Sequence, residues 1–199
     1  MNAQSLVLAS TSPFRRELLA RLGLDFETAS PNIDERRLPG ETAQSLVLRL
    51  AEAKARAVAS SYPNALIIGS DQVASIGGAM LGKPGTRECA IAQLSQASGR
   101  TAQICTGLCL FDTASGRIQV CCEPYKVRFR ILSATQIEAY VDREQPFNCA
   151  GSFKSEGLGI ALFERLEGSD PNALIGLPLI RLIDMLATAG VDVLAEDSQ

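Results

Sequence analysis

Hydrophobic positions in this sequence follow two patterns, one typical of strands and one typical of helices. Short apolar runs bounded by polar residues or glycine predict strands, while apolar residues three and four positions apart, preceded by a capping residue, predict helices. The predicted strands are 5–9, 26–29, 65–69, 72–76, 79–81, 101–112, 117–131 and 160–163. The predicted helices are 13–22, 42–60, 86–96, 133–142 and 177–190.

These elements alternate along the whole chain, which contains no repeat, low-complexity tract or linker. Strands interleaved with helices indicate a mixed α/β fold. We therefore expect residues 1–199 to form a single domain. Within it, the stretches 101–112 and 117–131 flank a turn and predict an antiparallel pair long enough to form a lobe of its own.

Charge and composition narrow the classes of partner. The 199 residues include 19 Lys and Arg against 22 Asp and Glu, which gives a net charge of -3. Nonspecific binding to a nucleic acid backbone is thereby excluded, and an anionic partner must be small and met by local cations. No apolar run approaches the ~20 residues that cross a bilayer, and the first residues do not resemble a signal peptide. The sequence predicts a cytoplasmic protein with no membrane or nucleic acid partner.

The sequence contains no histidine. This excludes Ser-His-Asp and Cys-His catalysis, two-His metal sites and phosphohistidine chemistry, so any acid or base must be a carboxylate, Lys, Tyr or Cys. The six cysteines form no C-x-x-C motif, and several stand in apolar, strand-like sequence. We expect buried free thiols, because a disulfide framework or an all-Cys zinc site fits these spacings poorly.

The first candidate site is the strand, loop and helix over residues 6–22. Ser10 and the two hydroxyl residues after it lie beside the unpaired amides of a helix N-terminus, an arrangement that favours an anion. Arg15 shares the inward face of that helix with three leucines, which places a cation beside whatever the loop binds. The alternative is an ordinary capped helix whose arginine extends along the surface.

A second candidate lies on the long second helix. With 3.6 residues per turn, Leu46, Leu50, Ala53 and Ala57 form an apolar stripe, and Lys54 falls within it. A buried ammonium without a counter-charge costs several kcal/mol, so Lys54 must have an anionic partner. The pattern leaves two partners open, a carboxylate of the protein and a phosphate of a ligand.

The third candidate is Asp71, which directly follows the predicted buried strand 65–69. Open α/β sheets bind ligands at the carboxyl ends of their strands, so this position favours metal binding or general-base chemistry; the alternative is an ordinary turn Asp. Lys83 lies in a constrained Gly-Lys-Pro loop, and Glu35 follows Asp34 in an earlier polar loop. Together, these carboxylates and cations suit a complex of a divalent metal with a triphosphate.

Six short motifs follow one another along the chain. They are LASTSPFRR at 8–16, LAEAKA at 50–55, GSDQV at 69–73, GKP at 82–84, AGSF at 150–153 and NALIGLP at 172–178. In this order they resemble the motifs of the Maf family of nucleoside triphosphate pyrophosphatases, over about residues 6–186. Each motif alone is a weak signal, but the ordered set is highly specific.

The resemblance carries implications for fold and activity. It implies the Maf/Ham1 (ITPase-like) α/β fold, with an elongated mixed sheet, flanking helices and a cleft between two lobes, and it implies a homodimer. The implied reaction is hydrolysis of the α–β phosphoanhydride of a nucleoside triphosphate to the monophosphate and pyrophosphate. The implied cofactor is a divalent metal cation, Mg²⁺ or Mn²⁺.

The same resemblance assigns roles to individual residues. Asp71 matches the catalytic general base and, with Glu35, the carboxylates associated with the metal. The positions that match phosphate-binding residues are Ser10, Arg15, Lys54 and Lys83.

Three positions separate this chain from the branch of the family that hydrolyses dTTP and UTP. Phe14, Gln72 and Glu156 instead resemble the branch described as 7-methyl-GTP pyrophosphatases. In that interpretation Phe14 faces the cationic methylated ring, Glu156 accepts hydrogen bonds from the guanine N1–H and N2–H edge, and Gln72 completes the pocket. Two alternatives stay open: a Maf pyrophosphatase that acts on dTTP or UTP, and a nucleotide-binding regulator of septum formation.

Overall fold

The computed structural model describes residues 4–195 of the chain. The strands are β1 Ser5–Ala9, β2 Glu27–Ala29, β3 Ala65–Ile76, β4 Ala79–Leu81, β5 Thr101–Asp112, β6 Ile118–Phe129 and β7 Phe163–Gly168. The α-helices are α1 Pro13–Ala20, α2 Ala43–Val58, α3 Arg87–Ala97, α4 Ala134–Glu144, α5 Pro171–Ile175 and α6 Leu179–Thr188. Short 3₁₀ helices lie at Ala59–Ser61, Ala150–Ser152 and Leu158–Leu162.

The first four α-helices begin where a hydroxyl side chain caps the first turn. Each capping oxygen accepts a hydrogen bond from the backbone amide three residues later, which pairs an amide that a helix start otherwise leaves free. The caps are Ser12 on α1, Thr42 on α2, Thr86 on α3 and Ser133 on α4. These starts agree with the predicted ones. Within residues 4–195, no helix combines the length and the apolar character needed to cross a membrane.

The strands form one sheet in the order β2-β1-β3-β5-β6-β7, and β4 pairs with β3. β1 runs parallel to β2 and β3, whereas the other neighbouring strands are antiparallel. The predicted mixed α/β architecture with flanking helices is confirmed, as is the long antiparallel pair, which corresponds to β5 and β6.

Along the edge of β3 that faces β1, the pairing with neighbouring strands is interrupted. β1 pairs with residues 65–69 of β3 and then ends, and β4 pairs with residues 74–76 further along the same edge. β5 occupies the other edge of β3 over residues 66–76. Residues 70–73 of β3 therefore have a strand neighbour on one side only, and the sheet has a gap beside them.

Three clusters of buried apolar side chains surround the sheet. Two cover opposite faces of the end that contains β1, one beneath α1 and α6 and the other beneath α2. The third joins α3 and α4 to the other end of β3, β5 and β6, around three phenylalanines in edge-to-face contact, Phe129, Phe153 and Phe163. The described chain thus has two lobes that share the three long strands, and the gap lies between them.

Three elements differ from the prediction. β3 is one strand rather than two, because β5 pairs with it continuously past Asp71. The strand predicted at 160–163 is wrong: this segment lies largely in a 3₁₀ helix, and β7 begins at Phe163. The short helix α5 was not predicted because five residues are too few to show a helical period, although Asp170 followed by Pro171 is a start signal.

Helix α2 lies directly on the sheet because two glycines face it. A Cβ atom added to Gly69 would lie 2.1 Å from the carbonyl oxygen of Ala51, and one added to Gly107 would lie 2.2 Å from that of Val47. Only a residue without a Cβ permits so close an approach of two backbones. This contact fixes the height of α2, and with it the height of Lys54, above the sheet.

We expect Gly107→Ala to destabilise the protein. The added methyl group must displace the backbone of α2, and overpacking of this kind typically costs about 1–3 kcal/mol. Gly82→Ala is the matched control, because a Cβ at that position meets nothing within 4 Å. Urea unfolding should show a lower free energy of unfolding for the Gly107 variant than for the control. Equal stability of the two variants would mean that α2 can move away from the sheet without cost.

Candidate active site

A cavity of about 910 Å³ opens at the gap in the edge of β3. Its walls come from the loop after β1, from α2, from the loop after β4 and from the segment between α4 and β7. All the site residues predicted from the sequence line it: Ser10, Phe14, Arg15, Glu35, Lys54, Asp71, Gln72, Lys83 and Glu156. The fold therefore brings motifs that are distant in the sequence to one opening between the two lobes.

Lys54 is buried on α2 between two carboxylates. The residue is 5% exposed, and its Nζ lies 2.7 Å from Asp71 Oδ1 and 2.8 Å from Glu35 Oε1. The prediction that this ammonium has an anionic partner is confirmed, and in the structure the partners are carboxylates of the protein. Such a pair offsets the cost of burying the charge.

The buried face of α2 is shifted from the predicted stripe. Lys54 lies on this face with Val47, Leu50 and Ala51, whereas Ala57 is exposed, so its inclusion in the stripe was wrong. The shift follows from the close contact at Gly69 and Gly107, which turns the side of α2 carrying Val47 and Ala51 toward the sheet.

Glu35 is the more exposed of the two carboxylates around Lys54. Its side chain is 55% exposed. Partial burial by itself would raise the pKa of Glu35, but the hydrogen bond from Lys54 and the positive charges of Lys54, Lys83 and Arg15 together hold that pKa below its ordinary value of 4.5. Glu35 is therefore a carboxylate at neutral pH, when it can serve as a ligand for a cation.

Asp71 lies within β3 and not after its end, contrary to the prediction. The residue is 8% exposed, and it pairs with Gly107 in the continuous ladder between β3 and β5. The strand that ends here is the neighbour β1, whose last residue, Ala9, lies opposite Gly69. Asp71 is accessible from the cavity because β3 has no neighbouring strand on this side at residues 70–73.

The loop after β1 brings Ser10 and Arg15 to the cavity. Ser10 is buried, and its hydroxyl oxygen accepts a hydrogen bond from the Ser12 amide at 3.1 Å. The Nε–H of Arg15 donates to the carbonyl oxygen of Gly176 at 2.8 Å, which orients the guanidinium. Burial lowers the pKa of Arg15, and the negative charges of Asp71 and Glu35 oppose that shift.

The remaining predicted residues lie around the opening. Phe14 is half-buried in the first turn of α1, and Lys83 is exposed in the loop after β4. Glu156 is exposed between two 3₁₀ helices, and its only hydrogen bond within residues 4–195 comes from the hydroxyl of Ser155 at 3.3 Å. These positions are compatible with contact to a ligand, and the roles of the residues stay predictions.

Comparison with known proteins identifies the family. Residues 5–189 match the family model described as "Maf-like protein". The chain belongs to the Maf family. The resemblance to Maf motifs predicted from the sequence is thereby confirmed.

Several relatives of this Maf family member match nearly its whole length, among them the following two. A protein of Alcanivorax borkumensis named "7-methyl-GTP pyrophosphatase" is 62% identical over 187 residues, which are 94% of this chain and 95% of that protein. A protein of Nitrosococcus oceani with the same name is 59% identical over 190 residues, 96% of each chain. The solved structure of the Staphylococcus aureus Ham1 protein covers 63% of this chain and 72% of its own, at 16% identity and a TM-score of 0.44, too low to support a conclusion.

One supporting residue of this Maf site was not predicted. Glu144, the last residue of α4, accepts hydrogen bonds from Lys154 Nζ at 3.3 Å and from the Leu158 amide at 2.8 Å. It thereby holds both ends of the segment that carries Glu156. Sequence spacing gives no signal for this contact, because it depends on how the segment folds back on α4.

The cysteines of this Maf family member are free, as predicted, but they are not all buried. Cys109 is buried, Cys89 is exposed, and the other four are half-buried. Within residues 4–195, no three Cys, Asp or Glu side chains are grouped so that they could hold a metal ion by themselves.

Proposed function

We propose that this protein hydrolyses the α–β phosphoanhydride of 7-methyl-GTP to 7-methyl-GMP and pyrophosphate. The observation that carries the proposal is the cavity beside β3, where cations, carboxylates and candidate base-contacting side chains line one opening. Membership of the Maf family supports the reaction, and the names of the relatives support the base. The missing histidine is compatible with this chemistry, since a carboxylate can serve as the base.

The phosphate chain binds among the cations of the cavity. Arg15, Lys54 and Lys83 supply positive charge from three different elements, and the hydroxyl of Ser10 supplies a donor. Arg15 is oriented by its bond to Gly176, so its terminal nitrogens are directed without a further loss of side-chain freedom. These groups neutralise charge that accumulates on the leaving pyrophosphate.

Asp71 acts as the general base. Its carboxylate accepts a proton from the attacking water while the water oxygen bonds to phosphorus and the phosphorus–oxygen bond to pyrophosphate breaks. The Lys54 ammonium, 2.7 Å from Asp71 Oδ1, holds the carboxylate in place. Burial of this pair limits competition from bulk water.

A divalent cation, Mg²⁺ or Mn²⁺, fits the donor set at this site. Glu35 and Asp71 each place a carboxylate oxygen within 2.8 Å of Lys54 Nζ, so the two carboxylates lie close together. Mg²⁺ is commonly bound by one or two carboxylates together with substrate phosphates. When bound, such an ion polarises phosphoryl oxygens. Glu35 and Asp71 are the residues that would hold it.

The base binds at the rim formed by Phe14, Gln72 and Glu156. Methylation at N7 gives guanine a positive charge, which an aromatic face attracts by about 0.5–2 kcal/mol. Glu156 is free to accept charge-assisted hydrogen bonds from N1–H and N2–H. A pyrimidine offers neither the cationic ring nor this donor edge.

The remaining parts of the proposal concern the whole protein. We propose one Maf domain over residues 1–199, since the family match covers 5–189 and the described sheet is continuous. We further propose a cytoplasmic homodimer whose only ligands are the nucleotide and the metal, with no nucleic acid or membrane partner. The net charge of -3 supports the exclusion of nucleic acid.

The proposed function is tested with a panel of 7-methyl-GTP, GTP, dTTP and UTP in the presence of Mg²⁺ or Mn²⁺. We expect kcat/KM to be highest for 7-methyl-GTP, with pyrophosphate as the product. Glu156→Gln should lose most of the preference for 7-methyl-GTP, because its amide offers a weaker acceptor than a carboxylate. Glu138→Gln, which replaces an exposed glutamate of α4, is the matched control and should keep the preference.

Two results would contradict the proposed function. Release of orthophosphate and the diphosphate would show that another anhydride is cleaved. Equal kcat/KM values on UTP and 7-methyl-GTP would leave a Maf pyrophosphatase without the proposed base selectivity.

A further inference from the structure

The strand β5 contributes one polar residue beneath the cavity that neither the motifs nor the proposed function includes. Thr106 is 0% exposed and lies directly opposite Gln72 in the ladder between β3 and β5. Its hydroxyl donates to the carbonyl oxygen of Ala173 at 2.8 Å and accepts from Gln72 Nε2 at 3.0 Å. Because this buried hydroxyl is used both as a donor and as an acceptor, its orientation is fixed.

The second half of this network is the C-terminal end of α5. The last carbonyl groups of a helix have no partner within the helix and must be satisfied by other donors. Here Gln72 Nε2 donates to the carbonyl oxygens of Ala173 at 2.7 Å and Leu174 at 3.1 Å. The hydroxyl of Ser70 lies 2.9 Å from the carbonyl oxygens of both Gly176 and Gly107, so its single proton is shared between this segment and β5.

These contacts fix the orientation of the Gln72 amide. The reverse orientation would place Oε1 against the carbonyl oxygens of Ala173 and Leu174, and the Thr106 hydroxyl could donate to Oε1 only by giving up its hydrogen bond to Ala173. Both N–H groups of Gln72 are thus occupied. The Gln72 Oε1 atom has no hydrogen bond within residues 4–195. Every buried side-chain oxygen of these residues has a hydrogen-bond partner, so Oε1 must be accessible to solvent. Because the Gln72 side chain lines the cavity, we infer that Oε1 is open to a ligand there.

We propose that Thr106 is a positioning residue that holds the Gln72 amide so that the side chain presents a hydrogen-bond acceptor, and no donor, to the nucleotide base. The proposal rests on the proposed function of the cavity. It specifies in addition that the end of the cavity that binds the base offers hydrogen-bond acceptors. Glu156 is also an acceptor when ionised, so both polar groups at this end select for donors on the base.

This polarity predicts a specific discrimination among purines. The N1 and C2 edge of guanine carries N–H donors, whereas hypoxanthine lacks the 2-amino group and adenine presents an acceptor at N1. In a site that offers only hydrogen-bond acceptors, hypoxanthine leaves one protein acceptor without a donor, because it has no 2-amino group. Adenine places its N1 acceptor against an acceptor of the protein, which is unfavourable. The 2-amino group is therefore the feature that the Gln72 and Glu156 oxygens recognise.

The test compares Thr106→Val with Thr106→Ser on GTP and ITP, and on their 7-methyl forms. Val keeps the shape of Thr but removes the hydroxyl, so the preference in kcat/KM for the guanine nucleotide over its hypoxanthine partner should fall by about three- to tenfold, the range for one hydrogen bond between uncharged groups. Ser keeps the hydroxyl and should restore the preference. Thr101→Val, at an exposed position of the same strand, is the matched control. A structural defect alone would lower the rates on both nucleotides equally, and that result would overturn the proposal.

A second measurement does not depend on turnover. In ¹⁵N-labelled free protein, the side-chain amide protons of Gln72, assigned by their loss in Gln72→Met, should exchange slowly with water in the wild type and faster in Thr106→Val. Exchange at the rate of a solvent-exposed amide in the wild type would overturn the proposal. Slow exchange in a protein that does not cleave 7-methyl-GTP would remove the proposed function and leave the amide orientation standing, so the two failures are distinguishable.

Discussion

Asp71→Asn will lower turnover by a factor of about 10² to 10⁴ and leave much of the nucleotide affinity. The asparagine keeps the shape of the side chain and an oxygen that can accept from Lys54, now 2.7 Å away, but it cannot take the proton of the attacking water. Pyrophosphate release measures the rate, and isothermal titration measures the affinity for 7-methyl-GTP.

The control for this variant is Asp34→Asn. Asp34 precedes Glu35 in the same loop, but its side chain is 59% exposed and its ion pair is with the exposed Arg36. Loss of this pair should leave turnover unchanged, since exposed ion pairs contribute little. Turnover by the Asp71 variant that matches this control would exclude Asp71 as the base.

Lys54→Met will destabilise the protein and weaken triphosphate binding. Methionine has a similar length but no charge, so Asp71 remains buried without its cation. Removal of one partner from a buried ion pair typically costs about 3–5 kcal/mol, and we expect the lower end because the Glu35 side chain remains 55% exposed. Urea unfolding measures the stability, and titration with 7-methyl-GTP measures the affinity.

A double variant separates the ion pair from the loss of packing. Lys54→Met combined with Asp71→Asn removes both charges, so it should be more stable than Lys54→Met alone. Arg56→Met is the control on the same helix, where an exposed pair with Glu52 is worth about 0–1 kcal/mol. If Lys54→Met is as stable as this control and binds the nucleotide normally, Lys54 has neither proposed role.

The contrast between Lys54 and Asp71 shows what the sequence could predict. A cation within an apolar stripe can be recognised without a structure, since helical periodicity and the cost of burying charge both act locally. The sequence required an anionic partner for it, and the structure shows that the partners are two carboxylates. The placement of Asp71 within β3 could not be predicted. It depends on where β1 ends relative to β3, which is a matter of pairing between distant segments.

For the same reason, the role of Thr106 could not be predicted from the sequence. Nothing in the residues around Thr106 marks it, and its role appears only when β5 places it opposite Gln72 and under α5. The motif residues could be assembled into one site because the family resemblance supplied the long-range information that periodicity lacks. The helix starts, by contrast, followed from capping residues alone.

The gap in the sheet beside β3 is also protected against association with a second molecule. Unpaired strand edges invite the addition of a strand from another molecule, which leads to aggregation. At residues 70–73 the edge is bordered at one end by β1 and at the other by β4, so an incoming strand would collide with both. The protein can therefore keep backbone hydrogen-bonding groups open at the centre of its sheet, where a small ligand can reach them and an extended chain cannot.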